Sequence, residues 1–333
     1  PYVKWSVDSE SPNNEMHDPL VVKDLVVVGT DSGALRAYRI GTGEAAWTYE
    51  HGKRIFHAPS SDGDRVYFAA GGGLTAVTAD AGKKVWSFDL DGDAGPVVTV
   101  PGKALVVATD ASGAIHALDA RTGKKQWSAE FLTDAPPDPA GFDGRTGRGG
   151  NGKARPSAMT TDGETLFLSV FDQCRVAAFS AATGKKLWSF QTGGWVFGTA
   201  ASTATHVFVG SQDRCLYCLD KQTGKQVWKF QTKGSIDSGC AADARSVYFG
   251  SCDGGLYCVN QTDGKERWRC GTDRYPNGKP SAICSVPVLR PGAVYFAAGE
   301  GQFYAVATDT GAVRGRLRPA ERSEMYCSAA SDG

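Results

Sequence analysis

The sequence predicts an all-β fold, a β-propeller of four-stranded antiparallel blades. Two observations carry this. A tryptophan returns about every forty residues, and short strand-like runs broken by glycine turns precede each one. Trp5, Trp47, Trp86, Trp127, Trp188, Trp228 and Trp268 are 42, 39, 41, 61, 40 and 40 residues apart, and Gly315 stands 47 further on where the next would fall. No stretch shows helical periodicity. A repeat of this size indicates one supersecondary unit stacked on copies of itself, because a single unit cannot bury its own apolar faces.

Each element of the unit has its own signature. The residues 117–127 read ALDARTGKKQW, and the same grammar returns at 37–47, 76–86, 178–188, 218–228, 258–268 and 305–315. In the block from 206, HVFVG is a short apolar run, SQD a turn, and RCLYCLD alternates with period two, as strands do. A glycine four residues ahead of the tryptophan position, mostly preceded by Thr, supplies the positive φ that a tight hairpin needs, at Gly43, Gly82, Gly123, Gly184, Gly224, Gly264 and Gly311. The tryptophan strand then offers a large apolar ring to bury between one unit and the next. A further short strand, such as HAPSS at 57–61, opens each unit.

Seven complete blades are expected at 16–50, 54–90, 93–130, 154–191, 195–231, 236–270 and 281–318. The N-terminal YVKWSV at 2–7 looks like the last strand of a blade, and YCSAASDG at 326–333 aligns with the first strand of another. The expectation is therefore an eight-fold ring whose incomplete eighth blade takes strands from both termini. A seven-bladed ring is the alternative. Either way the chain from 1 to 333 reads as a single propeller domain, although length alone would suggest two.

The AxDxxTGxxxW grammar resembles the tryptophan-docking motif of the PQQ-like repeat, found in quinoprotein alcohol dehydrogenases and in the propeller lipoprotein of the outer-membrane barrel-assembly machinery. The resemblance spans essentially the whole chain. It implies a fold more than a function, since its motif residues join blades, and the family includes enzymes, scaffolds and sensor domains.

Composition excludes some partners. The 36 Lys and Arg balance 36 Asp and Glu, so nothing suggests nucleic acid. No apolar run is long enough to span a bilayer. The chain is expected to be a monomer or a domain of a larger protein. The family resemblance implies a periplasmic or extracellular setting, whereas the odd count of nine cysteines suggests mainly free thiols and leaves a cytoplasmic setting open.

Most of those cysteines read as structural. Cys218 and Cys258 stand in the column that Ala37, Ala76, Ala117, Ala178 and Ala305 fill elsewhere, which asks for a small buried side chain. Cys215 and Cys218 are three apart on a strand, face opposite sides and cannot clamp one metal. Cys270 aligns with Phe190 and Phe230 as a core filler, and Cys252, in the turn SCDG, is the most exposed thiol expected.

Candidate functional residues fall on the face where one blade leads into the next. A Pro- and Gly-rich insertion at 131–156 brings Arg145, Arg148, Lys153 and Arg155, either as a disordered insertion or folded over the channel mouth to meet an anionic ligand. A smaller loop at 271–283 brings Arg274, Tyr275 and Lys279, a third spans 8–16, and Trp195 stands outside the repeat column in TGGWVFG. His17, His57 and Cys327 align in the innermost strands of sequential blades, alongside Ser157, Gly198, Ser238 and Ser285. Such a Cys and two His could hold a soft transition metal. The plainer alternative is that the three line a wet channel without meeting.

Quinoprotein dehydrogenases, by the resemblance, hold PQQ over Ca²⁺ between a tryptophan and a disulfide of adjacent cysteines. No adjacent cysteine pair exists in this sequence, and the calcium-binding carboxylates and amides cannot be placed on it. The sequence thus points to a non-catalytic propeller that docks a protein, peptide or small ligand on its loop face or in its channel. The resemblance implies two versions, a scaffold in an envelope assembly or the sensor domain of a larger bacterial receptor or kinase. A PQQ-dependent dehydrogenase and a metal-binding propeller are the alternatives.

Overall fold

The computed structural model describes residues 5–7, 18–131, 156–273, 275, 277–299 and 301–318. Among them, 28 strands form seven four-stranded antiparallel sheets, each ordered in space as in sequence. Blade one is β1 (Leu20–Val22), β2 (Leu25–Gly29), β3 (Ala34–Arg39) and β4 (Ala45–Glu50). The other six span 60–89, 94–130, 156–191, 201–231, 240–271 and 288–317. The sheets match a seven-bladed propeller.

The eighth blade of the sequence expectation has no sheet among the described residues. Of its segments only Trp5, Ser6 and Val7 are described, and they form no strand. The rest of the two terminal segments lies outside the described residues, and among the described residues the sheets number seven.

Six apolar clusters hold the blades together, one at each junction from blade one to blade seven. Between blades one and two, for example, Val27, Leu35, Ala37 and Trp47 meet Ile55, Val66, Phe68 and Val77. The core is thus a set of inter-blade layers, the packing that repeat architectures share. The first strands of blades one to four, and of blades five to seven, contact one another in succession.

The tryptophans lock these layers. Each indole N–H donates to a backbone carbonyl of the following blade: Trp5 to Ile40, Trp47 to Ala79, Trp86 to Ala120, Trp127 to Ala181, Trp188 to Lys221, Trp228 to Gln261 and Trp268 to Thr308, at 2.8 to 3.1 Å. Beneath each ring lies the hairpin glycine of that next blade. Gly224, at φ +69°, is typical, since a Cβ there would meet the Trp188 ring at 2.6 Å. Glycine is therefore required twice over, by the left-handed turn and by the ring above it. An aspartate in the same turn supplies the acceptor, as Asp119 does for the Thr122 N–H and hydroxyl, both at 2.8 Å.

The small-residue column has an equally direct cause. Ala37, Ala76, Ala117, Ala178, Cys218 and Cys258 each pair across the third and fourth strands with the tryptophan of their own blade. All six are fully buried. In blade seven Ala305 faces Gly315 instead, and without an indole over it that alanine is only half-buried.

Candidate functional site at the channel mouth

In an antiparallel four-stranded blade, the turn between the second and third strands and the connection from the fourth strand to the next blade emerge at the same end. That end gathers the described residues with exposed or unusual chemistry. Its frame, at four junctions among the described residues, is a buried aliphatic plug. Ile55, Ile236 and Ile283 donate their N–H groups to Thr30, Ser211 and Ser251 carbonyls at 3.1, 3.1 and 3.2 Å, and all three are fully buried. Gly29 closes its strand because a Cβ there would stand 2.5 Å from the Ile55 side chain. Val196 is the buried plug between blades four and five.

The residue after each plug faces the mouth, and its chemistry differs at each junction. After Ile55 comes Phe56, 56% exposed, with the Arg54 guanidinium 4.9 Å over its ring and Arg54 Nε 2.5 Å from Asp31. After Val196 comes Phe197, stacked on Phe171 at 4.9 Å, while Trp195 meets Phe171 edge-on at 5.0 Å and Phe197 at 6.0 Å. After Ile236 comes Asp237, whose carboxylate accepts from the Cys252 thiol at 3.4 Å. After Ile283 comes Cys284, whose thiol neighbours that of Cys252.

The predicted site residues divide accordingly. Trp195 is at the mouth and half-buried within its aromatic trio. Tyr275 is also on this face, half-buried, with its hydroxyl laid against Gly299 in the second-to-third-strand turn of blade seven. Arg145, Arg148, Lys153, Arg155 and Arg274 lie outside the described residues.

Of the candidate metal set, His57 sits next to Phe56, ring to ring at 5.1 Å, while His17 and Cys327 lie outside the described residues. Among the described residues no three His, Cys, Asp or Glu side chains gather as a metal site. The aligned column also differs from the expected channel lining. Ser238 and Ser285 are buried, each donating to and accepting from the backbone of the second strand at 2.9 to 3.0 Å. In blades six and seven these hydroxyls are thus spent on their own backbone, whereas in blade two the same position carries the half-buried His57.

The cysteines largely follow the expectation. Cys215 packs in the layer between blades four and five and Cys218 in the layer between five and six, so the pair faces opposite sides of one sheet. Burial pushes the Cys218 thiol up to about 12 and that of Cys258 to about 11, which keeps both protonated and unreactive. Cys284 carried no signal in the sequence, because its partner is far off in the chain and meets it only across a blade junction.

Comparison with known proteins agrees with this architecture. The family described as outer membrane protein assembly factor BamB matches residues 3–141 and 172–328. The chain belongs to that family. Among solved structures, BamB from Moraxella catarrhalis is 19% identical with a TM-score of 0.68, covering 93% of this chain and 88% of its own. A computationally designed protein, Ika8, is 17% identical with a TM-score of 0.77, covering 97% and 92%. A europium-containing methanol dehydrogenase is 15% identical with a TM-score of 0.71, covering 98% and 82%. These likenesses are of fold, and the fold is a PQQ-like repeat β-propeller. No curated protein matches the sequence. No helix among the described residues is long and apolar enough to cross a membrane.

Proposed function

We propose that this chain is a docking propeller that binds a segment of a protein partner at its channel mouth. The observation that carries this is the aromatic surface there: Phe171, Trp195 and Phe197 in mutual contact and only half-buried, with Phe56 exposed at another junction of the same face. Rigid, partly desolvated aromatics are the side chains that dominate protein recognition, because they bury large area at little entropy cost. Membership of the BamB family supports the reading, as does the BamB structure among its neighbours. A scaffold within an envelope assembly is the version favoured, and the sensor domain of a larger receptor uses the same face.

This reading is preferred to a quinoprotein dehydrogenase, the class of the methanol dehydrogenase neighbour. Trp195 is engaged edge-on with two phenylalanines, and no two cysteines are adjacent in the sequence, so the residues do not fit the tryptophan-and-disulfide sandwich around PQQ. A photo-crosslinking residue placed at Phe56 or Trp195 in the native host tests the proposal. Discrete protein adducts are expected from these positions and not from Leu187, exposed on the outer rim. Equal labelling from the rim, or none from the mouth, overturns it. Reduction of an acceptor dye after reconstitution with PQQ and Ca²⁺ would instead favour the dehydrogenase.

A further inference from the structure

At three junctions the turn of one blade touches the segment leading into the next, through side chains of different chemistry. Arg54 bridges to Asp31 between blades one and two, and Phe197 stacks on Phe171 between four and five. Between six and seven the equivalent contact is a pair of thiols, Cys252 and Cys284. Backbone geometry fixes their approach. Ile283 N–H donates to the Ser251 carbonyl at 3.2 Å, so the two cysteines are the residues that immediately follow a hydrogen-bonded pair. Cys252 is held from its other side by its own N–H, which donates to Ser235 at 2.8 Å. Unlike the sealed Cys215, Cys218 and Cys258, both thiols are only partly buried.

We propose that Cys252 and Cys284 form a reversible dithiol and disulfide couple that staples blade six to the segment leading into blade seven at the channel mouth. The reduced pair is already polarised for it. The neighbouring Cys284, burial and the Asp237 carboxylate push Cys252 up, and its contact with Cys252 holds the Cys284 thiol below its ordinary range. The one thiol hydrogen of Cys252 is committed to Asp237 at 3.4 Å, so Cys284 is the attacking sulfur and Cys252 the resolving one. The oxidant is a small-molecule disulfide. Cys284 thiolate attacks one of its sulfurs, expels a thiolate and leaves a mixed disulfide. Cys252 then gives up its proton to solvent, its sulfur attacks Cys284, and the second thiolate departs. The protein loses two hydrogens and the oxidant becomes two thiols. The closed loop, 252–284, contains the segment that carries Tyr275, so oxidation fixes one sector of the face that the docking proposal uses. The couple itself stands independently of that proposal.

The test uses the full chain, equilibrated with oxidised glutathione or with dithiothreitol, then alkylated, digested and mapped by mass spectrometry. A peptide linking Cys252 to Cys284 is expected after oxidation only, with a rise in melting temperature of about 5 °C for a loop of this length. That rise is lost in Cys252→Ser and Cys284→Ser and kept in Cys215→Ser. Phenylarsine oxide, which needs two neighbouring thiols, is expected to bind the reduced protein once through this pair. Both cysteines remaining alkylatable after oxidation overturns the proposal. So does glutathione retained on Cys284 beside a free Cys252, and both outcomes are read on wild-type protein whether or not the variants fold.

Discussion

Removing the glycine under a docking tryptophan tests the central packing idea. Replacing Gly224 by Ala forces a side chain into left-handed backbone at φ +69°, which costs about 1–2 kcal/mol. The new Cβ would also stand 2.6 Å from Cδ2 and 2.7 Å from Cε3 of Trp188, nearly 1 Å inside ordinary contact, and overpacking of that kind adds about 1–3 kcal/mol. Trp188→Ala alone forfeits a nearly buried indole and its 2.8 Å hydrogen bond to Lys221, about 3–5 kcal/mol. The two losses are not additive, because without the ring the methyl added at position 224 meets no clash and only the backbone cost of about 1–2 kcal/mol remains. A double-mutant cycle read from urea midpoints by far-ultraviolet circular dichroism is therefore expected to give a coupling of about 2 kcal/mol. If Gly224→Ala costs the same with and without Trp188, the ring does not select the glycine and the account of the repeat fails.

Three further outcomes follow from single sites. Asp110, 2% exposed, accepts from the Ser112 hydroxyl at 2.5 Å, from Ala114 N–H at 3.1 Å and lies 2.7 Å from His116 Nε2. Burial pushes its carboxyl up, the hydrogen bonds from Ser112, His116 and Ala114 outweigh it, and the net shift is downward. A depressed folded pKa stabilises fully above the unfolded value of about 3.9 and stops doing so as pH falls through the folded value. Asp110→Asn should thus cost about 2 kcal/mol at neutral pH and much less under strong acid, and a cost independent of pH contradicts this. Tyr67, wholly buried, reaches Asp62 at 2.7 Å and the Ala120 carbonyl at 2.9 Å, so Tyr67→Phe is expected to lose about 1–2 kcal/mol in a denaturant titration. A loss below about 0.5 kcal/mol would refute that. Cys218, Cys240 and Cys258, pushed up by burial to about 12, 12 and 11, should resist alkylation at mildly alkaline pH until the protein unfolds, and labelling of any of them as fast as Cys284 would count against their packing.

What was legible in the sequence is what the blades share. Trp188, Gly224 and Ala178 solve one geometric problem that recurs at every junction, so selection for the fold writes them periodically and period alone exposes them. The blade limits, the opposed faces of Cys215 and Cys218 and the positive φ of the hairpin glycines all came from that redundancy. His116 shows where the pattern is partial. It occupies the place of Tyr217, but its carboxylate comes from Asp110, two positions earlier than Asp213, so the pairing survives while the letters do not. The mouth is the opposite case. Phe56, Phe197, Asp237 and Cys284 occupy equivalent positions after a buried plug and share no chemistry, hence no column of like residues marks them. The alignment instead drew notice to the next position, where Ser238 and Ser285 are spent on their own backbone. A propeller has nearly rotational symmetry and a bound segment has none, so whatever distinguishes one sector of the mouth from another must be written in residues that break the repeat. The aromatic trio and the thiol pair are such breaks, both placed by the repeat and neither implied by it, and that is why the binding face is to be sought in them rather than in the motif that builds the ring.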